Sequence, residues 1–139
     1  MEIFGVNYQI VRVNEEKFFG VRKEWIEEMP VSITDKEKTI IDCLDKLHYA
    51  GGIIEVAKAL KSGSLNYNQL SEYALKINNF AVVRRLGYLC EQMEIPIDLP
   101  HPLSKKYLLL DPTMPATGKN DQKWRLIINH EPALAEFLE

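Results

Sequence analysis

Two cysteines are all the chain has, Cys43 and Cys90, and they stand far apart. Neither belongs to a Cys-x-x-Cys pair, and two residues cannot build the disulfide framework of a small secreted fold. A reduced, cytoplasmic chain is expected. Long apolar runs are missing too. Nothing approaches the ~20 consecutive apolar residues of a membrane-spanning helix, so no membrane role is expected. The start, Met1-Glu2-Ile3-Phe4, lacks the basic segment followed by an apolar stretch that marks a secretion signal. Charge of one sign is the third absence. The 17 Lys and Arg face 20 Asp and Glu, a formal net charge of -3, and both signs are interspersed along the whole length. No polybasic arm supplies the electrostatic footprint of non-specific nucleic-acid binding.

What is present is ordinary in bulk. With 139 residues, of which 46% are hydrophobic and 27% charged, the chain matches a soluble globular composition. It is long enough for one domain, 1–139, to bury a core without a metal or disulfide staple.

The patterning predicts an α+β fold, with strands at both ends and a helical middle. Phe4, Val6, Tyr8 and Ile10 alternate with polar or small residues, the period of a half-buried strand. After the polar break Asn14-Glu15-Glu16, a looser alternation resumes at Phe19, Val21 and Trp25, so an N-terminal β-hairpin is expected from these two runs. A short extended piece follows at Val31 and Ile33. Thr34-Asp35-Lys36-Glu37 then fits a capping box, with Thr34 as cap and Glu37 reaching back. It opens the first of about four short helices, whose apolar face is Ile40, Ile41, Leu44 and Leu47, and Gly51-Gly52 ends it. Ile53, Val56, Ala57 and Leu60 mark the second helix. The third starts near Asn66, with Gln69 placed for another capping box. The fourth, about residues 79–93, sets Val82, Val83, Leu86, Gly87, Leu89, Cys90 and Met93 on one half of the wheel and Arg84, Arg85, Tyr88, Glu91 and Gln92 on the other. A helix-interior glycine costs ~1 kcal/mol relative to alanine, so Gly87 predicts the close crossing of another helix. Pro96, Pro100 and Pro102 make an irregular connection. Tyr107–Leu110 and Lys123–Asn129 read as a C-terminal two-strand unit joined by a polar loop, and Pro132–Leu138 as a short terminal helix.

Chemistry-bearing constellations are few. His48, His101 and His130 share no metal-ligand spacing with one another or with a cysteine, so no metal and no cofactor is expected. His48 reads as a partly buried core residue. Cys43 and Cys90 fall on apolar faces and read as inert packing. Asp42 and Asp45 read as a solvated face beside Lys46. Gly51-Gly52 lacks the Gly-Lys-Ser/Thr of a phosphate loop. Trp25 and Trp124 alternate with polar neighbours and read as core anchors. The strongest candidates for DNA or partner contact are Arg84, Arg85, Lys105 and Lys106. The competing reading leaves the lysines as solubilising charges and Arg84 on a solvated face, stacked on Tyr88 and neutralised by Glu91.

The order of the pieces carries a further signal. Pro30-Val31-Ser32-Ile33-Thr34-Asp35-Lys36-Glu37-Lys38-Thr39 runs into a helix and then Ala50-Gly51-Gly52. Next come Arg84-Arg85-Leu86-Gly87-Tyr88-Leu89-Cys90-Glu91, then Tyr107-Leu108-Leu109-Leu110-Asp111-Pro112 before a loop with Gly118, and finally Trp124-Arg125-Leu126-Ile127-Ile128-Asn129. Over about residues 18–129 this succession resembles the C-terminal domain of AbiEi-type antitoxins, the transcriptional-regulator half of type IV abortive-infection (phage-defence) toxin–antitoxin systems. The resemblance implies a non-enzymatic role: support of cooperative promoter binding and neutralisation of a nucleotidyltransferase-like toxin, without a stable complex between the two. It also implies that an N-terminal winged helix-turn-helix reads the promoter DNA. No such domain fits before Phe18, and the net charge of -3 agrees with a half that does not read DNA alone. Two other expectations stand beside it: a generic protein-interaction or dimerisation module, and a small enzyme with a dispersed site.

Overall fold

The computed structural model describes residues 2–3, 6–7 and 14–130. The fold is α+β. Strand β1 (Glu2–Ile3) pairs antiparallel with β2 (Val6–Asn7). Most of the strand expected over Phe4–Ile10 lies outside the described residues, as does the whole helix expected over Pro132–Leu138.

The described hairpin is a different one from that expected. Strand β3 (Val21–Ile26) pairs with β4 (Met29–Thr34), from Val21 opposite Thr34 to Ile26 opposite Met29. The extended piece at Val31 and Ile33 is therefore the partner of the Trp25 run. Glu27 and Glu28 close it as a two-residue turn with φ of 47° and 66°. Positive φ at both positions is what a turn matching the strand twist requires. Neither strand has a buried residue, and Trp25 is 72% exposed, so it is no core anchor. Strand alternation fixes which residues share a face, but it leaves open whether that face has a neighbour.

Five helices follow: α1 (Lys36–Asp45), the single turn α2 (Leu47–Ala50), α3 (Ile53–Ser62), α4 (Tyr67–Lys76) and α5 (Phe80–Gln92). Lys46 leaves helical geometry, which divides the first expected helix in two, and Gly51 ends it in the left-handed conformation at φ 83°. The cap of α1 is Asp35, whose Oδ1 accepts the Lys38 N–H at 2.8 Å, and not Thr34. Thr34 instead meets the Thr39 hydroxyl, and Glu37 turns away to accept the Asn66 N–H just before α4. Asn66 does cap α4, accepting from the Gln69 N–H, but the Gln69 amide bonds the Tyr73 hydroxyl. The first box therefore does not form, and the second is half-formed: a distant backbone N–H takes Glu37, and Tyr73, one turn along the same helix, takes Gln69.

Ile41, Leu44, Ile53, Leu60, Leu70, Val82, Leu86 and Leu89 form the dry centre of the helical bundle. The C-terminal sheet docks onto it through Leu110, Trp124 and Leu126. That sheet has three strands where two were expected: β5 (Leu108–Leu109), β6 (Lys119–Asp121) and β7 (Leu126–Ile128) in the order β5-β7-β6. β7 is central, parallel to β5 and antiparallel to β6. The extra strand is cut from the polar loop. Lys119-Asn120-Asp121 has no apolar alternation to reveal it, and main-chain pairing with Ile128, Ile127 and Leu126 makes it a strand.

Candidate functional site

Helix α5 positions most of the residues singled out in the sequence. Its expected polar half is solvated only at its end, where Glu91 and Gln92 are exposed. Arg84 is 5% exposed, and Tyr88 is buried as well. The Arg84 guanidinium crosses to the C-terminal segment, where Nη1 donates to the Lys106 carbonyl at 2.9 Å and lies 3.5 Å from that of Arg125. Its Nε is buried with no hydrogen-bond partner among the described residues. Burial first, then the Arg125 guanidinium, pull its pKa below the ordinary value. Glu91 is engaged elsewhere, so the expected neutralisation of Arg84 by Glu91 does not occur. Arg85 clamps β5, with Nε and Nη2 both donating to the Leu109 carbonyl at 3.1 and 3.0 Å. Lys105 and Lys106 are exposed on the connection leading into β5. The four candidates thus gather along one seam between α5 and the approach to the sheet, two holding it together from beneath and two displayed to solvent.

Gly87 sits one turn on. A close neighbour is indeed present, but it is an aromatic ring and not a helix: a Cβ at Gly87 would meet Trp124 Cζ2 at 2.6 Å. The glycine lets the indole lie on the helix backbone. Trp124 is delivered there by the turn between β6 and β7, which Asp121 holds by accepting the Trp124 N–H at 2.8 Å. The Trp124 Nε1–H donates to Glu91 Oε2 at 3.0 Å, and Lys123 Nζ reaches the same oxygen at 2.7 Å. Those two hydrogen bonds, from Lys123 and then Trp124, lower the Glu91 pKa.

The end of α5 builds the facing wall. Glu94 takes φ 57°, the Ile95 N–H returns to the Cys90 carbonyl at 2.8 Å, and the Glu94 N–H to that of Glu91 at 3.2 Å. This is a Schellman closure made without glycine. It turns the chain so that Ile95–Leu99 faces the indole across a cleft of about 330 Å³. Glu91, Lys123 and Asp98 stand around the cleft, and His101 contacts Trp124 edge-on at 4.8 Å between ring centroids.

A second junction holds the other side of the sheet. Asp111, 1% exposed, accepts from the Ile53 N–H at the start of α3, from the Thr113 N–H and hydroxyl, and faces His130 Nδ1 at 3.2 Å. Burial raises its pKa, but the bonds from Thr113, Ile53 and His130 outweigh that and lower it. Asn129 accepts the Asp111 N–H and donates to its carbonyl at 2.7 Å.

The remaining candidates are dispersed. His48 is exposed and not a core residue. The Asp45 side chain is only 3% exposed, gripped by Lys17 at 2.9 Å and Asn79 at 2.7 Å, so it is not part of a solvated face; Asp42 pairs with the buried Lys38 at 2.7 Å. Cys90 is buried, which pushes its thiol up to about 12. Among the described residues no group of three or more His, Cys, Asp or Glu is placed to hold a metal ion, and no helix is long and apolar enough to cross a membrane. Sequence reasoning about chemistry passed over Lys123 and Asp98, and weighed His101 only as a metal ligand. The only signal near them was the resemblance motif, which quotes Glu91 and Trp124 without their meeting. No family model, curated protein or solved structure matches the chain.

Proposed function

We propose that the chain is the C-terminal regulatory and antitoxin domain of an AbiEi-like, cytoplasmic transcriptional repressor of a type IV toxin–antitoxin system. In this reading it is not an enzyme. It supports cooperative binding at promoter DNA, which a winged helix-turn-helix domain reads, and it is needed to neutralise a nucleotidyltransferase-like toxin. One observation carries the reading. The motif pieces, separated by up to about forty residues, interlock: Arg85 on Leu109, Gly87 and Glu91 on Trp124, Asp111 on Asn129. A set of residues that meets in space is more specific than the same set in a line. The test is growth. The full-length protein, coexpressed with a nucleotidyltransferase-like toxin encoded beside its gene, should restore growth that the toxin arrests. Continued arrest, or the absence of such a neighbour at an intact locus, overturns the antitoxin part.

A second reading, a protein-interaction or dimerisation module, is favoured by the hairpin β3–β4, where Ile26, Met29 and Ile33 are exposed on one face and Trp25 on the other. Sedimentation tests it: a tight dimer supports it, and a monomer at high concentration counts against it.

A further inference from the structure

We propose that the cleft beside Trp124 binds the cationic end, guanidinium or ammonium, of a basic ligand with an apolar or planar body, and that Lys123 is a tethered stand-in for it. Such a site is independent of the antitoxin reading.

One part of the cleft is buried and another is open to solvent. The indole is wedged on Gly87, and it holds the Glu91 carboxylate through Nε1 at 3.0 Å. Carboxylate and aromatic ring are thus joined, with Trp124 only 5% exposed. Lys123 meets them from the solvent side. Its half-exposed side chain reaches Glu91 Oε2 at 2.7 Å, with Nζ 5.9 Å from the centroid of the Trp124 ring. A positive charge beside a carboxylate and an aromatic ring is the arrangement by which proteins recognise cations, and the Lys123 ammonium already occupies that position. An exposed ion pair of this kind contributes little, so an incoming cation displaces it at little cost. Asp98 adds a second carboxylate at the rim, which leaves the fixed charge negative. An anion would meet that charge once it drew Lys123 aside. The opposite wall, Ile95, Ile97 and Leu99, is apolar and suits the ligand's body, and about 330 Å³ accommodates one long side chain.

Fluorescence tests this directly. Trp25→Phe leaves Trp124 as the only tryptophan. Into that protein are titrated agmatine, acetyl-Gly-Arg-Gly-amide, and the same peptide with citrulline, the uncharged isostere of arginine. A saturable change in Trp124 emission with a guanidinium ligand and none with citrulline is the expected result. The tighter of the two guanidinium ligands then identifies the source as a free amine or a polypeptide side chain. Lys123→Ala removes the competitor and should tighten binding about two- to fivefold, the worth of one exposed ion pair. Glu91→Gln should weaken it about tenfold. Equal binding of citrulline and arginine peptides, or no saturable response in the Lys123→Ala protein, overturns the proposal. The lysine variant leaves the Trp124–Glu91 bond untouched, so that arm stands even if Glu91→Gln does not fold.

Discussion

Trp124 donates its indole N–H to Glu91, one helical turn beyond the glycine its ring covers, with Nε1 and Oε2 3.0 Å apart. One residue from the β6–β7 turn therefore reads two positions of α5, a missing side chain and a carboxylate four residues later. Ring and hydrogen bond together fix both the distance and the register of sheet on helix. Burial alone could not set that register, because apolar contact has no direction.

The glycine is the sensitive half of this contact. Gly87→Ala gains ~1 kcal/mol of helix propensity, but its Cβ meets the ring at 2.6 Å. Overpacking of that kind costs typically ~1–3 kcal/mol. A net loss of stability in a urea melt is expected, with a shift in Trp124 emission. In the background Trp124→Ala the clash is absent and Gly87→Ala should become neutral or stabilising. An equal loss in both backgrounds would mean that the helix itself requires the glycine.

The seam of cationic residues divides into two kinds. Arg85→Ala removes both bonds to the Leu109 carbonyl and should cost about 1–3 kcal/mol. Arg85→Lys should recover only part of this, since an ammonium lacks the planar fork. Lys105→Ala/Lys106→Ala should leave stability within about 0.5 kcal/mol. If the proposed promoter binding holds and these lysines touch phosphates in it, its salt slope should fall by about one for each lysine removed. The exposed pair is thus the clean probe of DNA binding. Weaker binding by an Arg84→Ala/Arg85→Ala protein implicates the arginines in DNA binding only if its melt is unchanged.

Helix existence and the apolar faces were legible because periodicity reports burial, and Ile40, Leu44, Val56, Leu60 and Leu86 are all in the core. Side chains whose role depends on a distant partner were not legible. Arg84 looks solvent-facing on a helical wheel, and only the arrival of the Lys106 carbonyl makes its burial tolerable. Asp45 looks the same and is covered by Lys17, twenty-eight residues upstream. Gly87 announced a close neighbour, yet nothing local said that it would be Trp124. Glu37 and Gln69 sit at expected capping positions, but the distant Asn66 N–H takes Glu37 and Tyr73, one turn along the same helix, takes Gln69. The cleft was hidden altogether, because its wall depends on Glu94 adopting a conformation that glycine usually supplies.

Asp111 gives the fold a pH dependence with a definite sign. Its pKa is lowered in the folded chain. Its contribution is therefore complete above the unfolded value of ~3.9 and is lost as pH falls through the folded value. Asp111→Asn loses the charge that the Ile53 and Thr113 donors face, at a cost of about 1.5–3 kcal/mol near neutrality. The gap between variant and parent should narrow as pH falls below about 4, where the unfolded parent takes up the proton first and the folded carboxylate follows at lower pH. Glu91 shifts in the same direction, so the variant keeps part of the acid limb. Urea midpoints from pH 7 to pH 3 measure the gap, and a constant difference across that range would remove Asp111 as its source.

The hairpin is predicted to open separately from the core, because neither β3 nor β4 buries a side chain and an isolated two-stranded hairpin is marginal in water. Its turn adds strain, since Glu27 and Glu28 both hold positive φ, which costs an L residue about 1–2 kcal/mol. Two neighbouring glutamates also repel each other. Glu27→Asn/Glu28→Gly supplies the pair that such turns favour. Amide exchange across Val21–Ile26 and Met29–Thr34 should slow by about tenfold for each ~1.4 kcal/mol of strain released. The urea midpoint of the core should barely move. If instead the midpoint rises in step with hairpin protection, hairpin and bundle unfold as one unit. The bonds of Lys17 and Lys38, which tie the segment before β3 to α1, would then be strong enough to make them cooperative.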